Sequence, residues 1–341
     1  AGADAGAPAV RVLHGNTALS QSPLKNEPLG TAVDLDKAAL FLTTRHANAK
    51  PGEALVRGTL SANDLTFSRA ATLGTTTVSW YVVEHSAFHV QRDARVLSSD
   101  TTAVTLPSPV VKEHAFALVS WESSGDSLGS NDYVVAELAS PDTLTLKTVA
   151  NQQNVSWQVV ELTDGSTVQR GTTTLGATQN QGKGILVPPV DTSKSLLVYS
   201  YLVKGVSQTV DFRDAGVVGA VTSQSEVTFE RGWTALAGLS PEVEVSWFVV
   251  ELANAKVQSS MINLANGALS SKLQLGGSVN LERTFVALSP LGARWQGPFL
   301  SQVAGAESGM ITAEIAPADT LVVTRDASGA PARTNPFVVT F

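Results

Sequence analysis

Residues Val155–Leu162 read Val-Ser-Trp-Gln-Val-Val-Glu-Leu, and the pattern returns as Val-Ser-Trp-Tyr-Val-Val-Glu at Val78–Glu84 and Val-Ser-Trp-Phe-Val-Val-Glu-Leu at Val245–Leu252. About ten residues beyond each Trp comes a Val-Gln pair: Val90-Gln91, Val168-Gln169 and Val257-Gln258. Alternation places Val155, Trp157, Val159 and Glu161 on one face of an extended run, and Ser156, Gln158, Val160 and Leu162 on the other. The first face is a core face closed by a carboxylate. Thr163-Asp164-Gly165-Ser166 then supplies the Asp-Gly turn of a hairpin into the next β-rich run. A motif that recurs in this way marks a tandem array.

Working outward, the chain divides into a small-residue tail (1–9) and four β units, 10–88, 89–165, 166–254 and 255–341. The Trp positions at 80, 157 and 247, with Pro336 in the equivalent place of the last unit, set a repeat of about 80–90 residues. Each unit offers about six short β-rich runs separated by Gly, Pro, Asn, Asp and Ser, the density of a β-sandwich. No stretch keeps a 3.6-residue apolar period with a cap. The expected fold is all-β: a tandem array of six-stranded sandwiches linked by inter-unit hairpins, set in a row or, as the alternative, paired into two larger sandwiches that share sheets.

Composition narrows the function classes. The chain is 43% hydrophobic and only 16% charged, with a net charge of −7 and no Lys/Arg cluster, which argues against nucleic-acid or anionic-membrane binding. The absence of cysteine excludes disulfides and thiolate metal sites. No apolar run approaches the roughly 18–20 residues of a membrane helix. The start at Ala1, with a low-charge Thr/Ser-rich sequence, points to an exported, extracellular or cell-surface protein.

Few residues suggest chemistry. Glu84, Glu161 and Glu251 repeat, and a basic residue repeats after the fifth run of each unit: Arg69, Lys147, Arg231 and Arg325. Cross-strand ion pairs at sandwich rims are the simpler reading of that pattern. His85 and His89 flank the first inter-unit turn without further ligand-type residues, so they read as exposed turn residues, and no metal or cofactor is expected. Trp80, Trp157 and Trp247 fall on the core face. Trp121, Trp233 and Trp295 lie off that register and are candidate binding aromatics for sugar rings or a protein surface. Nucleophile-elbow, zinc-protease, phosphate-loop, dinucleotide and calcium-loop signatures are missing, which speaks against an enzyme.

Tandem Val-Ser-Trp-x-Val-Val-Glu followed by Val-Gln-Arg-Gly resembles repeats in bacterial surface proteins and phage structural proteins. The resemblance implies a structural or adhesive role and transfers no catalytic residue. The expectation is a non-enzymatic subunit of an extracellular filament or surface assembly, its partner another copy of itself. Val10, Val12 and Leu13 at one end, and Phe337, Val338, Val339 and Phe341 at the other, are expected to leave unpaired strands that join copies head to tail, with residues 1–15 packing on the next subunit. The alternatives are an adhesin or glycan-binding module that uses loop aromatics on a host surface, and a phage tail or fibre protein.

Overall fold

The computed structural model describes residues 9–48, 50–149, 153–205, 215–232, 240–295 and 306–341. Trp233 and residues 1–8 lie outside the described residues, as does the side chain of Trp295.

The molecule is all-β. The first unit holds β1 (Val10–Ser20), β2 (Leu24–Pro28), β3 (Ala38–Arg45), β4 (Arg57–Leu60), β5 (Asp64–Ser68) and β6 (Thr75–His85). The second holds β7 (Phe88–Leu97), β8 (Thr101–Thr105), β9 (Ala115–Glu122), β10 (Val135–Ser140), β11 (Thr143–Lys147) and β12 (Gln153–Leu162). In the third are β13 (Thr167–Leu175), β14 (Gln181–Ile185), β15 (Ser195–Lys204), β16 (Val217–Ser223), β17 (Glu226–Arg231) and β18 (Glu242–Glu251). The fourth contains β19 (Lys256–Ser259), β20 (Ile262–Leu264), β21 (Ser270–Gln274), β22 (Thr284–Ala287), β23 (Ala293–Trp295), β24 (Thr312–Ile315), β25 (Thr320–Thr324), β26 (Ala332–Thr334) and β27 (Phe337–Thr340).

One plan serves all the units. A long sheet has the closing strand at its centre, flanked by the first and third strands, as in β1-β6-β3, β7-β12-β9 and β13-β18-β15. A short sheet orders the second, fifth and fourth strands, as in β2-β5-β4, β8-β11-β10 and β14-β17-β16. All pairings are antiparallel. The fourth unit keeps the plan with its long strands broken: β19-β27-β22 and β20-β26-β23 continue one another, and β21-β25-β24 is its short sheet. Pro336 lies at the break of the closing strand, where a residue without an N–H interrupts the ladder.

Two expectations need correcting. The turns between units are tight, but they do not join paired strands. β6 is already flanked by β1 and β3, so it has no free edge for β7, which pairs with β12 instead. Nor do the sandwiches stand in a row. The outer face of each long sheet lies on the fourth strand of the preceding unit: β9 and β12 against β4, β15 and β18 against β10, β23 and β26 against β16. The first unit completes the set, because β3 and β6 lie against β24 of the last. The array is a closed ring. Its physical reason is in the strands, which are apolar on both faces: every residue of β15 but Lys204 is buried. A sheet with two apolar faces needs two covers, and in a row one long sheet would lack its second.

Partly exposed ion pairs cross each seam: Arg57–Glu122 at 3.9 Å, Lys147–Glu244 at 3.1 Å, Arg294–Glu230 at 3.0 Å and Arg45–Asp326 at 3.4 Å. Each is worth about 0–1 kcal/mol. Burial of the long sheets dominates the joints.

Candidate functional site

The repeated polar residues are the natural place to look for chemistry, and most of them are occupied with backbone. Glu84 accepts the Asp34 amide at 2.7 Å and pairs with Arg11 at 2.5 Å. In the same way Glu161 accepts the Val111 amide at 2.6 Å and Glu251 the Asp191 amide at 3.2 Å. The carboxylate therefore caps the turn that leads into the third strand. It does not pair with the basic residue after the fifth strand.

Those basic residues have their own task. Arg69, Arg231 and Arg325 are buried, and burial lowers the pKa of Arg69 and Arg325. Arg69 donates to the carbonyls of Ser22 at 3.0 Å, Glu53 at 3.1 Å and Gly74 at 2.9 Å. Arg231 donates to Gln179 O at 2.8 Å and to Gly176 O and Pro241 O at 2.5 Å each. Arg325 reaches Ala268 O and Ala265 O at 2.8 Å. A planar fork gathers carbonyls that a burial site would otherwise strand. Lys147, in the equivalent place of the second unit, bonds Glu137 at 2.7 Å and Glu244 across the seam.

The Val-Gln glutamines act as clips. Gln91 Nε2 donates to Ser108 O and its Oε1 accepts the Ser108 amide, both at 2.9 Å. Gln169 does the same with Pro188 O and the Val187 amide, both at 2.7 Å. The Val-Ser serines face the neighbouring unit. Ser246 Oγ donates to Ala136 O at 3.0 Å and Ser79 Oγ to Ala313 O at 3.4 Å, while Asn335 Nδ2, in the same place, donates to Gly219 O at 3.1 Å. Gln158 spans a further seam, accepting the Leu40 amide and donating to Leu40 O at 2.9 Å each.

Trp80, Trp157 and Trp247 are buried between the sheets of their own units. Trp80 Nε1 donates to Thr17 Oγ1 at 3.0 Å and Trp247 Nε1 to Thr173 Oγ1 at 3.1 Å. Trp157 lacks this bond, since Arg95 holds the matching place. Trp121 is not an exposed stacking platform. It is 4% exposed and its indole donates to Asp132 O at 2.8 Å. Burial pushes Asp132 up to about 6, against hydrogen bonds from Ser123 Oγ and the Gly129 amide, and the group ties a loop.

His85 is likewise buried rather than an exposed turn residue. Its ring sits 4.9 Å from Phe88 and 4.8 Å from Phe341, where three units meet, and burial lowers its pKa. His89 reaches Ser108 Oγ at 3.4 Å. Among the described residues no group of three or more His, Asp or Glu could hold a metal ion.

The terminal strands do not offer the vacancies expected of them. Val10, Val12 and Leu13 lie in the β1–β6 ladder, and Phe337, Val338 and Val339 lie in β27, which is paired on both sides. Phe341 packs on His85 and Phe285. Each end is thus paired within its own sandwich, β27 on both sides and β1 with β6 along one side.

Openings lie at several joints, one of about 30 Å³ among Thr44, Leu55, Trp121, Pro290 and Met310. At the ring centre a cavity of about 40 Å³, room for a water or two, lies among Leu40, Leu118, Gln158, Tyr199, Phe248 and Ser289. An open groove of about 540 Å³ runs between the second and third units, lined by Lys112, Gln169, Arg170, Ile185, Val187 and Glu251. No helix among the described residues is long and apolar enough to cross a membrane. No family model matches the chain, and a search of curated proteins returned no significant match.

Proposed function

We propose that the chain is a non-enzymatic structural subunit of an extracellular or surface assembly, with further copies of itself as its partner. The observation that carries this reading is the use of the repeated polar residues. Glutamate, arginine, glutamine and serine each recur, and most of the recurrences hold backbone in place, Lys147 and Ser156 of the second unit being the exceptions. Repeated chemistry of that kind builds a rigid block, and it commits recurring polar groups to the fold. Export to the cell surface or beyond belongs to the same proposal, and a phage tail or fibre protein is a separate, third reading.

The test is sedimentation velocity and negative-stain imaging of the purified full chain over a rising concentration series. Ordered, concentration-dependent assemblies support the reading. A monomer at every concentration sinks it.

A second reading is a binding module, favoured by the open groove beside Arg170 and Val187. Of its loop aromatics Trp121 is buried, while Trp233 and the side chain of Trp295 lie outside the described residues. Retention of a monomeric chain on a glycan array, lost on Arg170→Ala, would select it.

A further inference from the structure

Each short sheet has its second strand at one edge: β2, β8, β14 and β21. These ladders share a reference point. The amides of Leu29, Leu106, Leu186 and Leu275 donate to the carbonyls of Asn63, Asp142, Ser225 and Asp319, each directly opposite in register. Backbone direction alternates along a strand, so the residue three places earlier turns its N–H and C=O away from the sheet. That central outward residue is Asn26, Ala103, Lys183 or Lys272.

Exposed sheet edges invite pairing, and proteins blunt them with charge, above all lysine, or with proline. Units three and four have lysine at the central position. In the first unit Asn26 lies between Lys25 and Glu27, and Pro28, the next outward residue, has no N–H to give. β8 breaks the pattern. It reads Thr101-Thr102-Ala103-Val104-Thr105, without charge, proline or glycine, and Thr101, Ala103 and Thr105 are exposed. Exposed Val96 precedes its first turn, and exposed Val149 follows Thr148, whose amide bonds Asp100 O at 2.9 Å. The edge with the highest pairing propensity is thus the one without charge or proline, its one side-chain guard being Ser99 Oγ, which donates to Thr101 O at 2.7 Å.

We propose that β8 is a self-docking edge, pairing antiparallel with β8 of a second copy about Ala103. Thr101 of one copy then faces Thr105 of the other, and the two short sheets β10-β11-β8 become one continuous sheet. The occupant is a second copy because the edge is complementary to itself. Outward residues meet outward residues, Ala103 meets Ala103 without bulk, and no like charges face each other. Lysine in that place would confront its own symmetry mate. The contact is isologous and closes as a two-fold dimer. It rests on the reading of the chain as a self-assembling subunit and names one contact of that assembly.

The experiment uses the full chain. In sedimentation velocity Ala103→Lys should weaken self-association at least tenfold while circular dichroism and Tm stay at wild-type values. The chain has no cysteine, so Ala103→Cys with a short bis-maleimide should give at least tenfold more covalent dimer than Lys183→Cys. Equal self-association of Ala103→Lys and wild type overturns the proposal, as does equal cross-linking of the two cysteine variants. If wild type assembles and Ala103→Lys assembles equally, the subunit reading stands and the β8 contact falls. If wild type is monomeric throughout, both fall.

Discussion

Gly171 and Trp247 face each other across the β13–β18 ladder so closely that a Cβ on Gly171 would lie 2.5 Å from Cζ2 of the indole. Gly15 stands in the same relation to Trp80, at 2.7 Å. A buried indole pinned by a threonine hydroxyl cannot step aside cheaply, so the strand has glycine where the ring lies over its backbone. Gly171→Ala should therefore destabilise by about 1–3 kcal/mol through overpacking. Urea denaturation checks this, and an unchanged midpoint would mean that the ring is free to shift.

The seam serines provide a matched pair. Ser246 donates across the joint to Ala136 O, whereas the buried Oγ of Ser156 has no partner. Ser246→Ala should cost about 1 kcal/mol or somewhat more, since the carbonyl is left unsatisfied. Ser156→Ala should be neutral or slightly stabilising. Equal losses in the two variants would show that serine at this position acts through something other than its hydrogen bond.

Arg231→Lys keeps the charge and loses the fork. One ammonium cannot reach Gln179 O, Gly176 O and Pro241 O together. With about 1–3 kcal/mol for each buried group left unsatisfied, a total loss of about 3 kcal/mol is expected. A lysine variant as stable as wild type in chemical denaturation would contradict the clamp.

His85 makes stability depend on pH. Burial lowers its pKa from 6.5, with Arg283 pushing the same way and Asp164 opposing. Above 6.5 both folded and unfolded states are neutral and its contribution is complete. As pH falls below that value the unfolded state takes up the proton first, so stability declines until the folded pKa is reached. His46, also lowered by burial, acts alike. Asp132 acts in reverse: with its pKa raised to about 6, the native state binds the proton first between 6 and 3.8, which favours folding as pH falls. His85→Phe, stacked on Phe88 and Phe341, should flatten the loss of Tm between pH 7 and 5. An unaltered slope would place the acid sensitivity elsewhere.

The all-β class and the sandwich plan were legible because alternation and turn residues are local signals, as Val155–Leu162 and Thr163–Ser166 show. The ring was not. Its signal lay in the second face of the same strands, where Ser156, Val160 and Leu162 look mixed in polarity and are in fact buried. Trp121 was misread because it is off the central register, yet it belongs to β9, where it lies buried opposite Val155 of β12. The pairing of Glu84 with Arg11, in place of Arg69, needed the strand order, which spacing along the chain does not carry.

The closure of the first unit on β24 of the last fixes more than a shape. An open stack of repeats can gain or lose a member by duplication or deletion, because every interior repeat sees the same neighbours. Here each unit is roofed by the one behind it and roofs the one ahead, the last roofing the first. Removing a unit would strip two faces at once, and adding one would change the angle at every seam. The copy number is therefore part of the fold itself, and evolution can vary this chain by editing its loops far more readily than by counting its repeats.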